Sequence, residues 1–309
     1  MKKGLVYRST GSWYSVESEG VFYQCRIKGK LRLEGIKSTN PIAVGDWVYF
    51  EVDSLTDTLE GTIKQIEQRK NYIFRKSVNL SKQTHIIASN IDQVFLLVTL
   101  NNPPTFPAFI DRFLVTAEAY QIPVVLLFNK IDTYTDSELE EVQLLEKVYQ
   151  NIGYTTYQIS AKEVKSVEKL KTLMLSKVSM FSGHSGVGKS TLINAIAPGL
   201  DLKTAQISEQ HQQGVHTTTF AEMFTLKEGI KIIDTPGIKG FGVVDMQPEE
   251  IGNYFPEYYK RKGQCKFNNC LHQNEPKCAV LEAVESGTIA LSRYQSYLQM
   301  LEEDSSYRN

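Results

Sequence analysis

The run Gly183-His184-Ser185-Gly186-Val187-Gly188-Lys189-Ser190 carries the most explicit chemistry in this sequence. It fits the pattern G-x-x-x-x-G-K-[ST], whose glycines let backbone N–H groups curl around phosphate oxygens. Lys189 is expected to reach the β- and γ-phosphates, as both a binding and a catalytic residue, and Ser190 to ligate Mg²⁺. An apolar strand over 178–181 leads into the loop. A helix opening at Ser190-Thr191 points its positive end at the same phosphates.

Three further segments extend the pattern. Asp234-Thr235-Pro236-Gly237 follows an apolar stretch at 230–233. There a carboxylate can hold Mg²⁺ through water, and the Gly237 N–H can sense a γ-phosphate. Asn129-Lys130-Ile131-Asp132 follows a second apolar stretch, 124–128. The Asp132 carboxylate suits guanine N1–H and the exocyclic amino group, a donor pair that adenine lacks. Asn129 is expected at the N7/O6 edge and the Lys130 stem against the base. Ser160-Ala161-Lys162, after the stretch 155–159, offers backbone N–H groups to guanine O6. Together these segments specify a guanine nucleotide, GTP or GDP with Mg²⁺.

Their order is unusual. Lys130 and Lys162 precede Lys189 by 59 and 27 residues, whereas a phosphate loop ordinarily comes first. A sheet tolerates such a circular permutation when its original ends lie close enough to be joined. Between the phosphate loop and Asp234 lies Gly214-Val215-His216-Thr217-Thr218-Thr219, in a polar stretch suited to a switch. Thr218 is the threonine expected to complete the Mg²⁺ shell. Ile238 stands where many GTPases have a glutamine that orients the attacking water. His216 or a bound partner is therefore the candidate to supply that function.

Cys265, Cys270, His272 and Cys278 fall within fourteen residues. Three thiolates and one imidazole form a tetrahedral Zn²⁺ set with no open position, which makes the metal structural.

The elements that must position these groups can be read from hydropathy. Residues 1–72 show short alternating strands separated by glycine turns, the size of an OB-fold barrel. Residues 73–245 alternate apolar strands with amphipathic helices, implying a parallel sheet with flanking helices. Residues 246–309 read as a helical zinc-binding domain. The fold class is therefore α/β: a barrel, a permuted P-loop GTPase domain and a zinc domain. Net charge is −1, yet residues 1–82 carry 14 Lys+Arg against 9 Asp+Glu and the remainder 20 against 26. A basic first segment agrees with a polyanionic partner such as RNA. No apolar run reaches membrane-spanning length and no signal-peptide core follows the N-terminus. A cytoplasmic monomer without membrane contact is expected.

Taken together, these motifs in this order resemble the RsgA/YjeQ family of circularly permuted bacterial GTPases. Asp111-Arg112-Phe113-Leu114, Phe255-Pro256-Glu257, Gly287-Thr288-Ile289 and Arg293-Tyr294-Gln295-Ser296-Tyr297 also fit. The resemblance implies late maturation of the 30S ribosomal subunit, binding to its rRNA, and GTP hydrolysis that the subunit stimulates. From the residues alone two other readings stay open. One is a regulatory GTPase with a protein partner. The other is an RNA-binding barrel-and-zinc protein with a degenerate nucleotide site.

Overall fold

Alternation of apolar and polar side chains over the first 66 residues produces five strands: β1 (Lys2–Ser9), β2 (Tyr14–Ser18), β3 (Val21–Ile27), β4 (Trp47–Val52) and β5 (Glu60–Ile66). They run in the order β1-β2-β3-β5-β4, and β4 returns to pair with β1, closing an OB-like barrel. All neighbours are antiparallel except β3 and β5. Inward positions supply a core of Val6, Tyr14, Val16, Tyr23, Cys25, Val48, Phe50 and Ile63. Closure removes the open edges that a five-stranded sheet would otherwise expose.

The computed structural model describes residues 1–27, 41–53, 59–76, 84–198, 221–226, 229–234 and 246–306. His216, Thr218, Gly237 and Ile238 lie outside the described residues. Two compact units divide the chain, neither continuous in sequence. The first comprises Met1–Phe95, Ala161–Ser182 and Lys189–Gly242; the second comprises Leu96–Ser160, Gly183–Gly188 and Val243–Asn309.

In the first unit the barrel is fixed to the chain that follows it by a buried ion pair. Asp46, fully buried, accepts hydrogen bonds from Arg69 Nε (2.7 Å), Arg69 Nη2 (2.6 Å), Ser89 Oγ (2.6 Å) and the Ala43 N–H (2.8 Å). Four donors around one carboxylate offset its desolvation. The hairpin of β6 (Tyr72–Lys76) and β7 (Thr84–Ser89) follows, then β8 (Gln93–Val98), which begins in this unit. The unit also holds α3 (Val164–Met174), β11 (Val178–Ser182), α4 (Lys189–Ile196), β12 (Glu222–Thr225) and β13 (Lys231–Asp234).

The α/β alternation expected from sequence is present, with β11 parallel to β13. Strand β12 is an addition. It is antiparallel to β13 on one side and to β1 of the barrel on the other, where Arg8 faces Glu222. A register shift between Val6 and Arg8 marks the place where β1 departs from regular pairing with β2, as a bulge bends a strand.

The second unit contains the end of β8, then α1 (Pro107–Ala119), β9 (Val124–Phe128), α2 (Asp136–Ile152) and β10 (Thr155–Gln158), with strands in the order β10-β9-β8. β9 and β10 are parallel. Helix α2 starts with a Thr135/Glu138 capping box and ends at Gly153, whose φ of 115° stops the helix. Short helices α5 (Pro248–Ile251) and α6 (Pro256–Tyr259), then α7 (Ala279–Glu285) and α8 (Leu291–Ser306), gather around Phe255, Tyr258, Val280, Ile289 and Tyr297.

Arg293 of α8 fastens this bundle to α1. It donates to Asp111 Oδ1 (2.7 Å) and to both carboxylate oxygens of Glu257 (2.7 and 3.1 Å), while the Tyr149 hydroxyl donates to Asp111 (3.0 Å). Burial pushes the Asp111 carboxyl up and the Arg293 charge pulls it back. Burial works against the Arg293 charge, and the two carboxylates more than offset it. Among the described residues no helix is long and apolar enough to cross a membrane.

Candidate functional site

The phosphate loop is shaped by two glycines that no other residue could replace without movement. Gly183 has φ +140°, and a β-carbon there would lie 2.6 Å from the Leu97 carbonyl oxygen. Gly188 has φ +99°, and its β-carbon would lie 2.5 Å from Asn129 Nδ2. Between them Val187 is fully buried and anchors the loop, while Ser185 and Gly186 are exposed. The His184 ring lies on Phe109 of α1, centroids 3.8 Å apart. Both glycines therefore let the loop backbone pack closely against Leu97 and Asn129, an approach that a side chain would block.

The base loop is held against it. Asn129, at the end of β9, is buried; its N–H donates to the Val98 carbonyl and its Nδ2 to the Val187 carbonyl of the phosphate loop, both at 2.8 Å. Sequence placed Asn129 at the guanine edge. The structure also gives its amide nitrogen a partner in the phosphate loop, 58 residues away. Lys130 adopts a left-handed φ of 68° and its Nζ donates to the Asn102 carbonyl (2.5 Å). Asp132 is exposed in the following turn. The Ile131 N–H donates to the Ile159 carbonyl (3.3 Å), tying this loop to the strand end that carries Ser160. Ser160 and Ala161 are buried and Lys162 is exposed.

Tyr134 was not legible as a site residue. Its hydroxyl accepts from the Leu100 N–H (2.8 Å) and donates to the Asn129 carbonyl (3.1 Å), bracing the base loop against the end of β8. A tyrosine five residues past Asn129 carries no motif, so only the fold reveals the contact.

In the first unit, Lys189 and Ser190 form the first residues of α4, with Thr191 exposed behind them. Burial lowers the Lys189 pKa below the usual lysine value; a phosphate anion beside it acts in the opposite sense. Asp234 ends β13 and lies directly across from Glu222 of β12.

The cysteine loop brings its four candidate ligands together. All four donor atoms lie within 4.8 Å of one another. Cys265 Sγ and Cys278 Sγ are 3.9 Å apart, and His272 Nδ1 lies 3.7 and 3.2 Å from them. Tetrahedral Zn²⁺ with bonds of about 2.3 Å to sulfur and 2.0–2.1 Å to nitrogen requires ligand separations of roughly 3.5–3.8 Å. The donor set fits the metal. Burial, reinforced by Cys278, pushes the Cys270 thiol up to about 12; a divalent cation would reverse that preference. The Tyr294 and Tyr297 hydroxyls donate to the His272 and Leu271 carbonyls (2.9 and 2.8 Å), and Glu275 accepts from the N–H groups of Leu271, Gln273 and Asn274.

Comparison with known proteins agrees with this architecture. The RsgA N-terminal domain profile matches residues 3–63 and the RsgA GTPase profile residues 66–244. The small ribosomal subunit biogenesis GTPase RsgA of Christiangramia forsetii is 65% identical over 308 residues, covering 99% of this chain and 98% of that protein. Its counterpart in Flavobacterium psychrophilum is 63% identical over 99% of this chain and 94% of its own length. The crystal structure of YjeQ from Thermotoga maritima superposes with a TM-score of 0.78 at 36% identity, covering 98% of both chains. That of YloQ, described as a circularly permuted GTPase, gives 0.77 at 31% identity, covering 99% of this chain and 96% of that one. The chain belongs to the RsgA GTPase family.

Proposed function

We propose that this chain hydrolyses GTP in late maturation of the small ribosomal subunit, binding the 30S particle through its rRNA and coupling hydrolysis to release. The observation that carries the guanine-nucleotide part is the 2.8 Å hydrogen bond from Asn129 Nδ2 to the Val187 carbonyl. It supports a shared site for a base loop and a phosphate loop that occur in reversed order along the chain. The ribosomal part is supported by relatives named as small ribosomal subunit biogenesis GTPases over almost the whole chain. The basic balance of residues 1–82 favours an RNA partner. A cytoplasmic monomer, organised as 1–72, 73–245 and 246–309, accompanies this reading.

In this reading the N–H groups of 183–188 and Lys189 hold the phosphates, Asp132 selects guanine, and the 160–162 segment meets its O6. Asn129 and Tyr134 hold the base loop in place. Ser190, with Asp234 through water, would hold Mg²⁺, which when bound neutralises charge on the β- and γ-phosphates. Thr218 and His216 are assigned from sequence alone, the first to that ion and the second to the attacking water. Zn²⁺ on Cys265, Cys270, His272 and Cys278 serves the fold.

The test is GTP turnover with and without purified 30S subunits. Strong stimulation by 30S is expected. Turnover indifferent to 30S would point to a different partner, and no turnover in either arm would remove the catalytic reading.

A further inference from the structure

In the second unit, a short segment that belongs to no nucleotide motif touches both nucleotide loops. Residues 99–105 lead from the end of β8 toward α1, and they close on themselves first. The Thr105 N–H donates to the Thr99 carbonyl (2.8 Å), the Thr99 N–H to Thr105 Oγ1 (3.2 Å) and the Thr99 hydroxyl to the Pro103 carbonyl (2.6 Å). Both threonines are buried, so the fold shapes this loop without help from a ligand. Its tip then reaches outward. Pro103 lies against the phosphate loop, where a β-carbon on Gly186 would sit 3.3 Å from Pro103 Cδ. The Asn102 carbonyl accepts from Lys130 Nζ of the base loop (2.5 Å). Asn101 Nδ2 donates to Glu138 Oε1 of the capping box that starts α2 (2.5 Å).

The bond between Asn102 and Lys130 joins two unusual backbones. Non-glycine residues with positive φ are uncommon, yet Asn102 stands at +48° and Lys130 at +68°. Asparagine tolerates that region, whereas lysine gains nothing from it. Such conformations persist where surrounding contacts over-determine them, and they cluster at ligand sites. Stability does not explain the bond. It lies at the surface, where water would serve the ammonium about as well and a charged contact adds little. What it fixes is direction: a lysine stem otherwise samples many rotamers, and this one is tied at its far end.

We propose, resting on the guanine-nucleotide reading, that residues 99–105 form a third wall of the nucleotide site. Asn102 is its positioning residue: its carbonyl holds the Lys130 ammonium so that the stem lies ready against the face of the base. Pro103 sets the same loop against the phosphate side at Gly186. The two base contacts then divide their work. Asp132 reads the edge of the ring and its substituents. The Asn102–Lys130 pair acts on the ring face and is blind to those substituents, so it contributes affinity for a purine without choosing between purines of the same face.

Calorimetry on the full chain with GDP and with inosine diphosphate, which lacks only the exocyclic amino group, reads this division. Asn102→Val puts a β-branched residue where the left-handed region excludes it. The carbonyl should swing away and both nucleotides weaken by the same factor, about fivefold for one lost hydrogen bond. Asn102→Gly keeps that backbone accessible and should stay within about twofold of the parent. Lys130→Met keeps the stem, drops the ammonium and leaves the 99–105 backbone untouched. It should lose as much as Asn102→Val, and the two changes together should lose no more than either alone. Parent-like affinity in Asn102→Val or in Lys130→Met, losses that multiply in the double variant, or a larger loss for GDP than for inosine diphosphate would overturn the proposal. Variants that bind as a GDP-binding parent does defeat the Asn102 assignment alone. A parent that binds neither nucleotide defeats the guanine-nucleotide reading, and this wall with it.

Discussion

Two irregular segments of the second unit carry chemistry, and they are held by different means. The phosphate loop, 183–188, is braced by the chain itself: Val187 is buried, its carbonyl takes the Asn129 amide, and glycines at φ +140° and +99° allow the close approach. The cysteine loop, 265–278, has no strand or helix of its own. Its thiols and imidazole converge on a point where only a cation satisfies all four. The first is preorganised for a ligand that comes and goes. The second would be organised by a ligand that stays, if the proposed zinc is bound. Losing the nucleotide should leave the loop folded, whereas losing the metal should cost structure.

The largest expected break of that contrast is metal removal. Chelation, or Cys278→Ser, should melt the bundle around Phe255 and Tyr297, seen as lost near-ultraviolet dichroism, with one zinc per chain released. A folded, zinc-free bundle would erase the distinction between the loops. Next is Arg293→Met, which leaves Asp111 and Glu257 buried without their cation and should destabilise the unit by about 3–5 kcal/mol in urea unfolding. A variant as stable as the parent would mean that the buried pair contributes little.

The same two positions show what sequence can and cannot reveal. Arg293 and Asp111 are 182 residues apart, so nothing local to either one names the other as its partner. Contiguous motifs fared better. The glycines of 183–188 and the four zinc-type ligands state their chemistry in adjacent residues, and the structure brings the latter within bonding reach of one ion. Strand β12 was missed because Glu222-Met223-Phe224-Thr225 is four residues long, too short for alternation to register. Its pairing with β1 is set by edges that meet only after folding. Asn129 was legible as a site residue, but its hydrogen bond to Val187 depends on how the permuted loops converge.

Smaller effects sharpen the preorganised half of the comparison. Gly188→Ala forces a β-carbon at φ +99° against Asn129. It should weaken GDP binding about tenfold by calorimetry, since left-handed strain alone costs roughly 1–2 kcal/mol. Unchanged affinity would show that the cradle is soft. Tyr134→Phe removes both hydroxyl contacts to the base loop and should weaken GDP about fivefold, at about 1 kcal/mol for the lost bonds. An equal loss for ADP would indicate general loosening rather than a base-loop role.

The central claim is that motifs in permuted order build one guanine site. Calorimetry of GDP and xanthosine diphosphate on the parent chain and on Asp132→Asn tests it most directly. Replacing an acceptor by an amide should lower GDP affinity roughly a hundredfold or more, two charge-assisted hydrogen bonds being lost, and raise affinity for the xanthine nucleotide. Unchanged GDP affinity in Asp132→Asn, with no gain for the xanthine nucleotide, would contradict the account.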